Sequence, residues 1–420
     1  MALHRREFLH SALVAGAGLA LGMGRQPQAP PAAQPGEKDA GGDTPKSLRI
    51  LILGGTGFLG PACTESALAR GHKVTLFNRG RTETMRKEAG RPSAVPEGVE
   101  VLYGNRDPEK HAEDWKDDPR QNPKGLEKRA DNPKGLLQLE GKSWDAVIDT
   151  SAYFPRMAKA SAELLAPHVK QYVFISSISV YADATKPITE DTPVGQLSDP
   201  TTEDFGKDFA NYGPGKAACE AACEGAMPGR VTNIRPGFIV GPRDTSARFL
   251  YWPLRVRRGG EMLVPGAPED PIQIIDVRDL GDWVCRCIER GTCGVFNATG
   301  PARPLFMRGF LEGTRAGAGE ARDGPAVFTW ADMDFLEKHG LEGGDFPLYV
   351  PPTDAQGGMH RTDCTRALAK GLTFRSLSDT THATLAGHDS LPEATQKGVA
   401  RFSLTPEREK EMLAAWKARK

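Results

Sequence analysis

The chain has 420 residues, and its 54 basic and 54 acidic side chains give it a formal net charge of zero. This balance gives no support for nucleic-acid or membrane-surface binding driven by overall charge. The seven cysteines are scattered, and neither they nor the histidines form a cluster with metal-ligand spacing, so we expect no metal site. The length is enough for one large domain or two closely joined ones.

The N-terminal residues predict an export signal. A paired-arginine pattern, Arg5 and Arg6, precedes a mildly apolar run that is too short to span a bilayer. We therefore assign residues 1–25 to a twin-arginine signal and residues 26–46, rich in Pro, Ala and Gly, to a flexible linker. The protein is then periplasmic or secreted. If the signal is not used, this segment is a disordered extension and the protein stays in the cytoplasm.

An apolar strand predicted at 48–53 runs through a glycine-rich turn into a helix at 58–70. The turn has the spacing Gly-x-x-Gly-x-x-Gly, formed by Gly54, Gly57 and Gly60. Such a turn can seat a pyrophosphate against a helix N-terminus, because a Cβ would block the approach of the backbone. The backbone N–H groups expected to face the phosphates belong to Thr56, Phe58 and Leu59.

The end of the second strand, predicted at 73–77, bears on the choice of dinucleotide. An NAD-selective site usually has an acid here to hold the ribose 2′-hydroxyl. This chain has Asn78, Arg79 and Arg81 instead. Two guanidiniums can pair with a 2′-phosphate, so NADP is slightly favoured over NAD. The alternative is that both arginines face solvent and NAD binds through Asn78.

Strands and helices alternate further along the chain, as a doubly wound parallel sheet requires. Further strands are predicted at 99–102, 146–149, 172–175 and 230–234, and further helices at 155–167 and 212–226. We therefore predict an α/β fold, a Rossmann-like doubly wound parallel sheet with a smaller C-terminal substrate-binding part. The predicted units are an NAD(P)-binding domain at 47–235 with a charged insertion at 107–142, a mainly substrate-binding cap at 236–400 with segments returning to the core, and a C-terminal helix at 401–420.

A second chemical motif, Tyr-x-x-x-Lys, begins the last of these helices. Helical spacing puts the Tyr212 phenol and the Lys216 ammonium on one face. The ammonium can lower the pKa of the phenol, so that Tyr212 exchanges a proton with a substrate hydroxyl near neutral pH. Together with the glycine turn, this pair predicts an enzyme that moves a hydride and a proton between a sugar-like alcohol and nicotinamide.

Over roughly residues 48–300 the chain resembles the extended short-chain dehydrogenase/reductase family, in its NAD-dependent epimerase/dehydratase group. The resemblance rests on the two motifs above and on the segments at 145–149, 174–181 and 233–237. It implies that Tyr212 is the acid/base and that Lys216 tunes Tyr212 and holds the nicotinamide ribose. It also implies that Ser177 orients the substrate, with Ser179 in support.

The same resemblance implies further contacts. Asn105 stands where the family often places an acid against the adenine amine, and the end of the fourth strand is expected to line the nicotinamide side with Thr150, Ser151 and Ala152. Candidates for binding a polar or anionic substrate are Arg243, Arg248, Arg255, Gln273 and Arg278. One departure from the family is a longer spacing between Ser177 and Tyr212, with residues 196–209 inserted.

These observations predict an NAD(P)-dependent epimerase/dehydratase-like oxidoreductase acting on a sugar or another hydroxylated metabolite. Because no soluble cofactor pool is expected outside the cytoplasm, a redox-neutral reaction on one tightly held cofactor is favoured. The alternatives are an NADP-dependent reductase and a non-catalytic NAD(P)-binding sensor or RNA-binding-like protein, since a related branch includes chloroplast RNA-binding proteins. The expected partner is a small-molecule substrate, without nucleic acid or stable membrane insertion, and a homodimer is left open.

The export signal is tested by replacing Arg5 and Arg6 with lysine. We expect the variant to accumulate in the cytoplasm with unchanged enzymatic activity in lysate, because the signal and linker are predicted to lie outside the folded core. Fractionation with an immunoblot measures the location. Unchanged export of the variant would contradict the assignment.

Overall fold

The structure is a computed structural model that describes residues 47–88, 93–109, 135–400 and 402–419. The predicted export signal (1–25) and linker (26–46) lie outside these residues. The same holds for residues 110–134, which make up most of the predicted insertion.

The strands of the described residues are β1 (Arg49–Leu53), β2 (Lys73–Asn78), β3 (Glu100–Tyr103), β4 (Ala146–Asp149), β5 (Gln171–Ile175), β6 (Val231–Pro236), β7 (Ile239–Val240), β8 (Glu261–Pro265), β9 (Ile275–Asp276), β10 (Gly294–Ala298) and β11 (Val327–Ala331). Seven of them form one parallel sheet in the order β3-β2-β1-β4-β5-β6-β10. Strand order reverses between β1 and β4, which places a crevice at the carboxyl ends of these strands. The predicted doubly wound parallel sheet is confirmed.

The helices are α1 (Leu59–Ala69), α2 (Arg81–Glu88), α3 (Pro155–Leu165), α4 (Tyr212–Ala226), α5 (Tyr251–Arg258), α6 (Val277–Glu289), α7 (Met307–Gly317), α8 (Met333–Lys338), α9 (Thr365–Ala369), α10 (Leu377–Asp389), α11 (Glu393–Val399) and α12 (Pro406–Ala418). Among the described residues, no helix is both long enough and apolar enough to cross a membrane.

The predicted strands and helices agree with the structure to within two residues at each end. Three elements of the sheet region, α2, α6 and β10, were not predicted. Helix α2 is almost entirely polar, so it lacks the apolar stripe that marks a helix in sequence. Strand β10 begins with glycine and contains Asn297, both poor strand formers, and it is held by its pairing with β6.

Both faces of the sheet are covered, which explains why its strands are apolar at successive positions. In β1, the side chains of Ile50 and Ile52 pack into a core that includes residues of α1 and α6. Those of Leu51 and Leu53 pack on the opposite face, in a core that includes residues of α3 and α4. A third core lies in the later part of the chain, where its largest fully buried side chains are Trp252, Phe249, Phe310 and Phe346.

Helix α4 begins in close contact with the short 3-10 turn Ile178–Val180 that follows β5. A Cβ added at Gly213 would lie 1.9 Å from the carbonyl oxygen of Ser179. Such an approach is open only to glycine, and it brings Tyr212 next to Ser177.

Gly213→Ala is therefore expected to destabilise the protein by about 1–3 kcal/mol, as overpacking of a closed site does. The matched control is Gly225→Ala in the same helix, where an added Cβ meets no atom within 4 Å. Because alanine is the better helix former, this control should be stabilised by up to about 1 kcal/mol. Urea unfolding followed by circular dichroism measures both, and equal effects would contradict the close approach.

Candidate active site

A cavity of about 2680 Å³ lies at the carboxyl ends of the central strands. Pockets for single small ligands are usually about 300–1,000 Å³, so this cavity has room for a dinucleotide and a second molecule. Its walls include most of the residues predicted from separate motifs: Gly54, Thr56, Gly57, Phe58, Leu59, Asn78, Arg79, Arg81, Asn105, Thr150, Ser151, Ser177, Ser179, Tyr212 and Lys216.

The glycine turn between β1 and α1 brings the backbone close to the cavity at positions where no side chain intervenes. Gly54 has φ +90°, and a Cβ there would lie 2.6 Å from Thr150 Oγ1. Gly60 does not line the cavity, because it packs against the turn itself. A Cβ added at Gly60 would lie 2.5 Å from the carbonyl oxygen of Gly54. At Gly57 the nearest atom to an added Cβ is 3.9 Å away. Since the first turn of α1 also has no acid, its N–H groups can receive an anion here.

The residues after β2 supply positive charge to one end of the cavity. Arg79 and Arg81 line the wall, and no carboxylate of the described residues forms an ion pair with either. Arg79 is exposed at the cavity wall, but partial loss of solvation lowers its pKa, and the charges of Arg81 and Arg106 lower it further. Asn78 is buried, and its Nδ2 has no hydrogen-bond partner in the described part of the chain. This group of donors fits an anionic ligand.

The segment after β4 is fixed by its own hydrogen bonds. Thr150 Oγ1 donates to the carbonyl oxygens of Leu53 and Gly54, each at 3.1 Å. Ala152 is fully buried and does not line the cavity; Tyr153 lines it instead. Asn105 Oδ1 accepts the N–H of Asp107 at 3.1 Å, so one of its lone pairs is already used within the protein.

A buried ion pair that the sequence did not reveal lies beneath this segment. Arg106 donates to both carboxylate oxygens of Asp149, at 2.7 and 2.8 Å, and to Ser151 Oγ at 2.8 Å. Asp149 also accepts the N–H groups of Ser151 and Ala152 and the hydroxyl of Tyr172. Burial alone would raise the pKa of Asp149, but the guanidinium of Arg106 holds it below its ordinary value.

The candidate catalytic side chains meet at the middle of the cavity. The Tyr212 hydroxyl is hydrogen-bonded to Ser177, whose Oγ donates to Ser179 Oγ at 3.1 Å. Lys216 Nζ donates to the carbonyl oxygens of Ala152 (2.8 Å) and Ile175 (2.6 Å). An ammonium has three donors, so one remains for a ligand.

The electrostatics of this group differ from the sequence prediction. Burial raises the pKa of Tyr212 to about 12; the nearby Tyr153 also raises it, while the hydrogen bond with Ser177 and the charge of Arg248 lower it. Lys216 was expected to lower the pKa of the phenol, but its ammonium is directed to two carbonyl oxygens. Burial lowers the pKa of Lys216 itself to about 8. In the protein alone, Tyr212 is therefore a protonated donor at neutral pH.

Three predicted substrate residues of the later part lie outside the cavity walls. Arg243 pairs with Glu65, with both contacts at 2.7 Å. Arg278 pairs with Asp276 at 2.7 Å, and the Gln273 side chain donates to Thr362 O at 3.0 Å. Arg255, the fourth candidate of this kind, is buried against Glu409. These four side chains are therefore engaged in contacts within the protein rather than directed into the cavity.

Of the predicted substrate-binding arginines, Arg248 lines the cavity. Other wall residues were not predicted from the sequence. The inserted segment contributes Phe205, which stacks on Phe154 at 5.5 Å and meets Tyr212 edge-on at 6.1 Å. Acidic residues also reach the cavity from distant parts of the chain: Asp244, Glu337, Glu342, Asp345 and Asp354.

Two curated proteins are similar in sequence over about three fifths of the chain. One is chloroplast stem-loop binding protein of 41 kDa b from Arabidopsis thaliana, 26% identical over 264 residues, 61% of this chain and 60% of that protein. The match thus spans less than two thirds of the plant protein. The other is epimerase family protein SDR39U1 from Bos taurus, 25% identical over 261 residues, 61% of this chain and 75% of that protein. No protein-family model matches the chain.

Solved structures share the fold. WbmG from Bordetella bronchiseptica, in complex with NAD, has a TM-score of 0.53 at 19% identity, covering 82% of this chain and 94% of WbmG. WbmH from the same organism, in complex with NAD+, has a TM-score of 0.53 at 18% identity, covering 82% and 99%. A UDP-glucose 4-epimerase has a TM-score of 0.53 at 16% identity, covering 82% and 98%. At these identities the likeness shows the fold.

The Arg106–Asp149 pair is tested by Arg106→Gln, with Arg255→Gln as a matched control. Arg106→Gln leaves the buried carboxylate of Asp149 without its bidentate partner and should cost about 3–5 kcal/mol of stability. Arg255→Gln also removes a guanidinium from a buried carboxylate, but it should cost less because Glu409 keeps its ion pair with Arg258. Only Arg106→Gln should also speed hydrogen exchange at residues 151 and 152, because Asp149 accepts those two N–H groups. The two variants are first brought to the same unfolding free energy by adjusting the urea concentration. Mass spectrometry then compares their rates of amide hydrogen exchange. The same exchange in both variants would contradict a local role.

Proposed function

We propose that the chain is an NAD(P)-dependent oxidoreductase of the extended short-chain dehydrogenase/reductase type, in which Tyr212 is the acid/base for a hydroxylated small molecule. The single observation that carries this proposal is the convergence of Ser177, Tyr212 and Lys216 on the cavity that the glycine turn opens into. The sequence motifs, the similarity to an epimerase family protein and the fold shared with NAD-bound structures support it.

The residues present fit a nicotinamide dinucleotide. Gly57 offers a gap where a side chain would otherwise stand, and the N-terminus of α1 offers free N–H groups and the positive end of the helix dipole. Arg79 and Arg81 would meet the adenosine ribose and favour a 2′-phosphate. Lys216 would hold the nicotinamide ribose with its remaining donor. Together these residues would hold both ends of the cofactor.

When bound, the nicotinamide supplies a reversible hydride acceptor and, in its oxidised form, a positive charge near the phenol. Such a charge favours phenolate, so it lowers the Tyr212 pKa from about 12 toward the working pH. Ser177, hydrogen-bonded to Tyr212, is placed to bond the same substrate hydroxyl. As phenolate, Tyr212 would accept the proton of the substrate hydroxyl while the hydride would pass to the nicotinamide, and the phenol would return the proton in the reverse reduction.

The reaction we favour is redox-neutral, an epimerisation or dehydration on a sugar or other hydroxylated metabolite. This preference rests on the predicted export signal, since an exported enzyme cannot exchange spent cofactor with a cytoplasmic pool. A net NADP-dependent reductase is the alternative. Retention of nicotinamide cofactor through purification would favour the redox-neutral enzyme, and a need for added cofactor in proportion to product would favour the reductase.

A binding role without turnover is a second candidate. It is favoured by the similarity to a protein whose name describes stem-loop binding. The zero net charge and the ordered Tyr212–Lys216 pair favour the enzyme. Bound cofactor that never exchanges a hydride with any hydroxylated substrate would favour the binding role.

The acid/base assignment is tested by Tyr212→Phe, which keeps the ring but removes the proton donor. We expect turnover to fall by about 10²–10⁴-fold while cofactor affinity and stability are preserved. The control is Tyr251→Phe, since Tyr251 is also buried, does not line the cavity, and its hydroxyl has no hydrogen-bond partner among the described residues. Steady-state kinetics compares the two. Full turnover in Tyr212→Phe would exclude the assignment.

Cofactor choice is tested by replacing Arg79 and Arg81 together with alanine. If both pair with a 2′-phosphate, NADP affinity should fall far more than NAD affinity, because charge-assisted hydrogen bonds are worth about 1.5–3 kcal/mol each. Calorimetric titration of each dinucleotide gives the two affinities, and NAD is the internal control. An equal loss for both would show that the arginines serve another purpose.

A further inference from the structure

The loop that leaves β7 has an unusual backbone. Gly241, Arg243 and Ala247 have positive φ values of 122°, 71° and 56°. Non-glycine residues rarely adopt this conformation, and it persists where the surrounding structure over-determines it, often at functional sites. The result is that residues 244–248 form part of the cavity wall while Arg243 points away to Glu65.

Arg248 has no direct ion pair among the described residues, although the nearby charge of Asp244 raises its pKa against the lowering effect of burial. Its Nε donates to Ser246 Oγ at 3.1 Å, and its guanidinium lies 5.4 Å from the centre of the Phe238 ring. No carboxylate of the described residues lies within ion-pair distance of it. Arg248 and Tyr212 both line the cavity, and the charge of Arg248 lowers the pKa of Tyr212.

One carboxylate oxygen of Asp244 lacks a hydrogen-bond donor among the described residues. Its Oδ1 accepts both the N–H and the hydroxyl of Ser246, at 2.8 and 2.6 Å. Its Oδ2 is buried and has no partner in the described part of the chain. A buried acceptor left unpaired is costly, and a hydroxyl donor from a ligand would satisfy it.

The charge of the surrounding wall limits what can bind beside Arg248. From residue 236 onward, Arg248 is the one Lys or Arg that the described residues contribute to the cavity. The same part of the chain contributes four further carboxylates: Glu337, Glu342, Asp345 and Asp354. A diphosphate would extend its negative charges along this acidic wall, whereas the charge of a compact anion would stay at the one guanidinium.

We propose that the substrate carries a compact anionic oxygen group, a carboxylate or a phosphate monoester, which Arg248 binds next to Tyr212 while Asp244 accepts a neighbouring hydroxyl. The substrate class is then a sugar acid or sugar phosphate rather than a nucleotide diphosphate sugar. This inference rests on the proposed function, because it assigns the substrate subsite of the same cavity. Arginine suits the role, since its planar fork matches such anions in a bidentate manner.

The test uses the full chain, with saturating NAD+ or NADP+ and without cofactor. Calorimetric titration compares D-glucuronate and D-gluconate as carboxylates, D-glucose 6-phosphate as the phosphate, D-glucose as the neutral sugar and UDP-glucose as the diphosphate. We expect at least one anionic sugar to bind about 10-fold or more tighter than D-glucose and to lose about 10-fold or more in Arg248→Gln. The matched control is Arg243→Gln on the same loop, which should bind like the unmodified protein because Arg243 is paired with Glu65 outside the cavity.

Which anion binds distinguishes the carboxylate from the phosphate source. The proposal is overturned if no carboxylate or phosphate probe binds, if D-glucose binds equally well, or if Arg248→Gln binds the anions unchanged. Tighter binding of UDP-glucose than of the other probes overturns it in favour of a nucleotide diphosphate. Failure of the proposed function would give a different result, namely that neither NAD+ nor NADP+ binds. In that case an anion site that depends on Arg248 would still be detected in the cofactor-free protein.

Discussion

The candidate active site depends on the buried contact between Arg106 and Asp149. Asp149 receives five hydrogen bonds, two from Arg106, two from the backbone of residues 151 and 152, and one from Tyr172. These hydrogen bonds fix the segment after β4, which contacts both the glycine turn and Lys216. The Thr150 hydroxyl donates to the carbonyl oxygen of Gly54, and the carbonyl oxygen of Ala152 accepts from Lys216 Nζ. A buried ion pair is weak evidence for net stability, so we regard its main effect as positional.

The parallel sheet explains how segments distant in sequence line one cavity. The carboxyl ends of parallel strands meet at one edge of the sheet, so the segments after β1, β2, β4 and β5 are neighbours without being close in sequence. Helix α4 completes the group because Gly213 lets it approach Ser179. The end of the cavity near the glycine turn carries arginines, whereas the wall formed by the later residues is mainly acidic, so the two ends differ in charge.

The sheet and the two motifs could be predicted from sequence because they follow local rules, namely strand and helix periodicity, glycine spacing and the i, i+4 geometry of Tyr212 and Lys216. The partners of individual polar side chains could not. Arg243 and Arg248 are similar in sequence context, yet the positive φ values of their loop send one to Glu65 and the other to the cavity. Arg106 gave no signal either, since its partner Asp149 lies 43 residues away.

The central claim is that the cavity holds a nicotinamide dinucleotide with its reacting end at Tyr212. A crystal structure of the protein with NAD+ or NADP+ tests this most directly. We predict the pyrophosphate at the N-terminus of α1 beside Gly57, and the nicotinamide ribose within hydrogen-bond distance of Lys216 and Tyr212. A dinucleotide bound elsewhere, or bound here with its nicotinamide end away from Tyr212, would contradict the account.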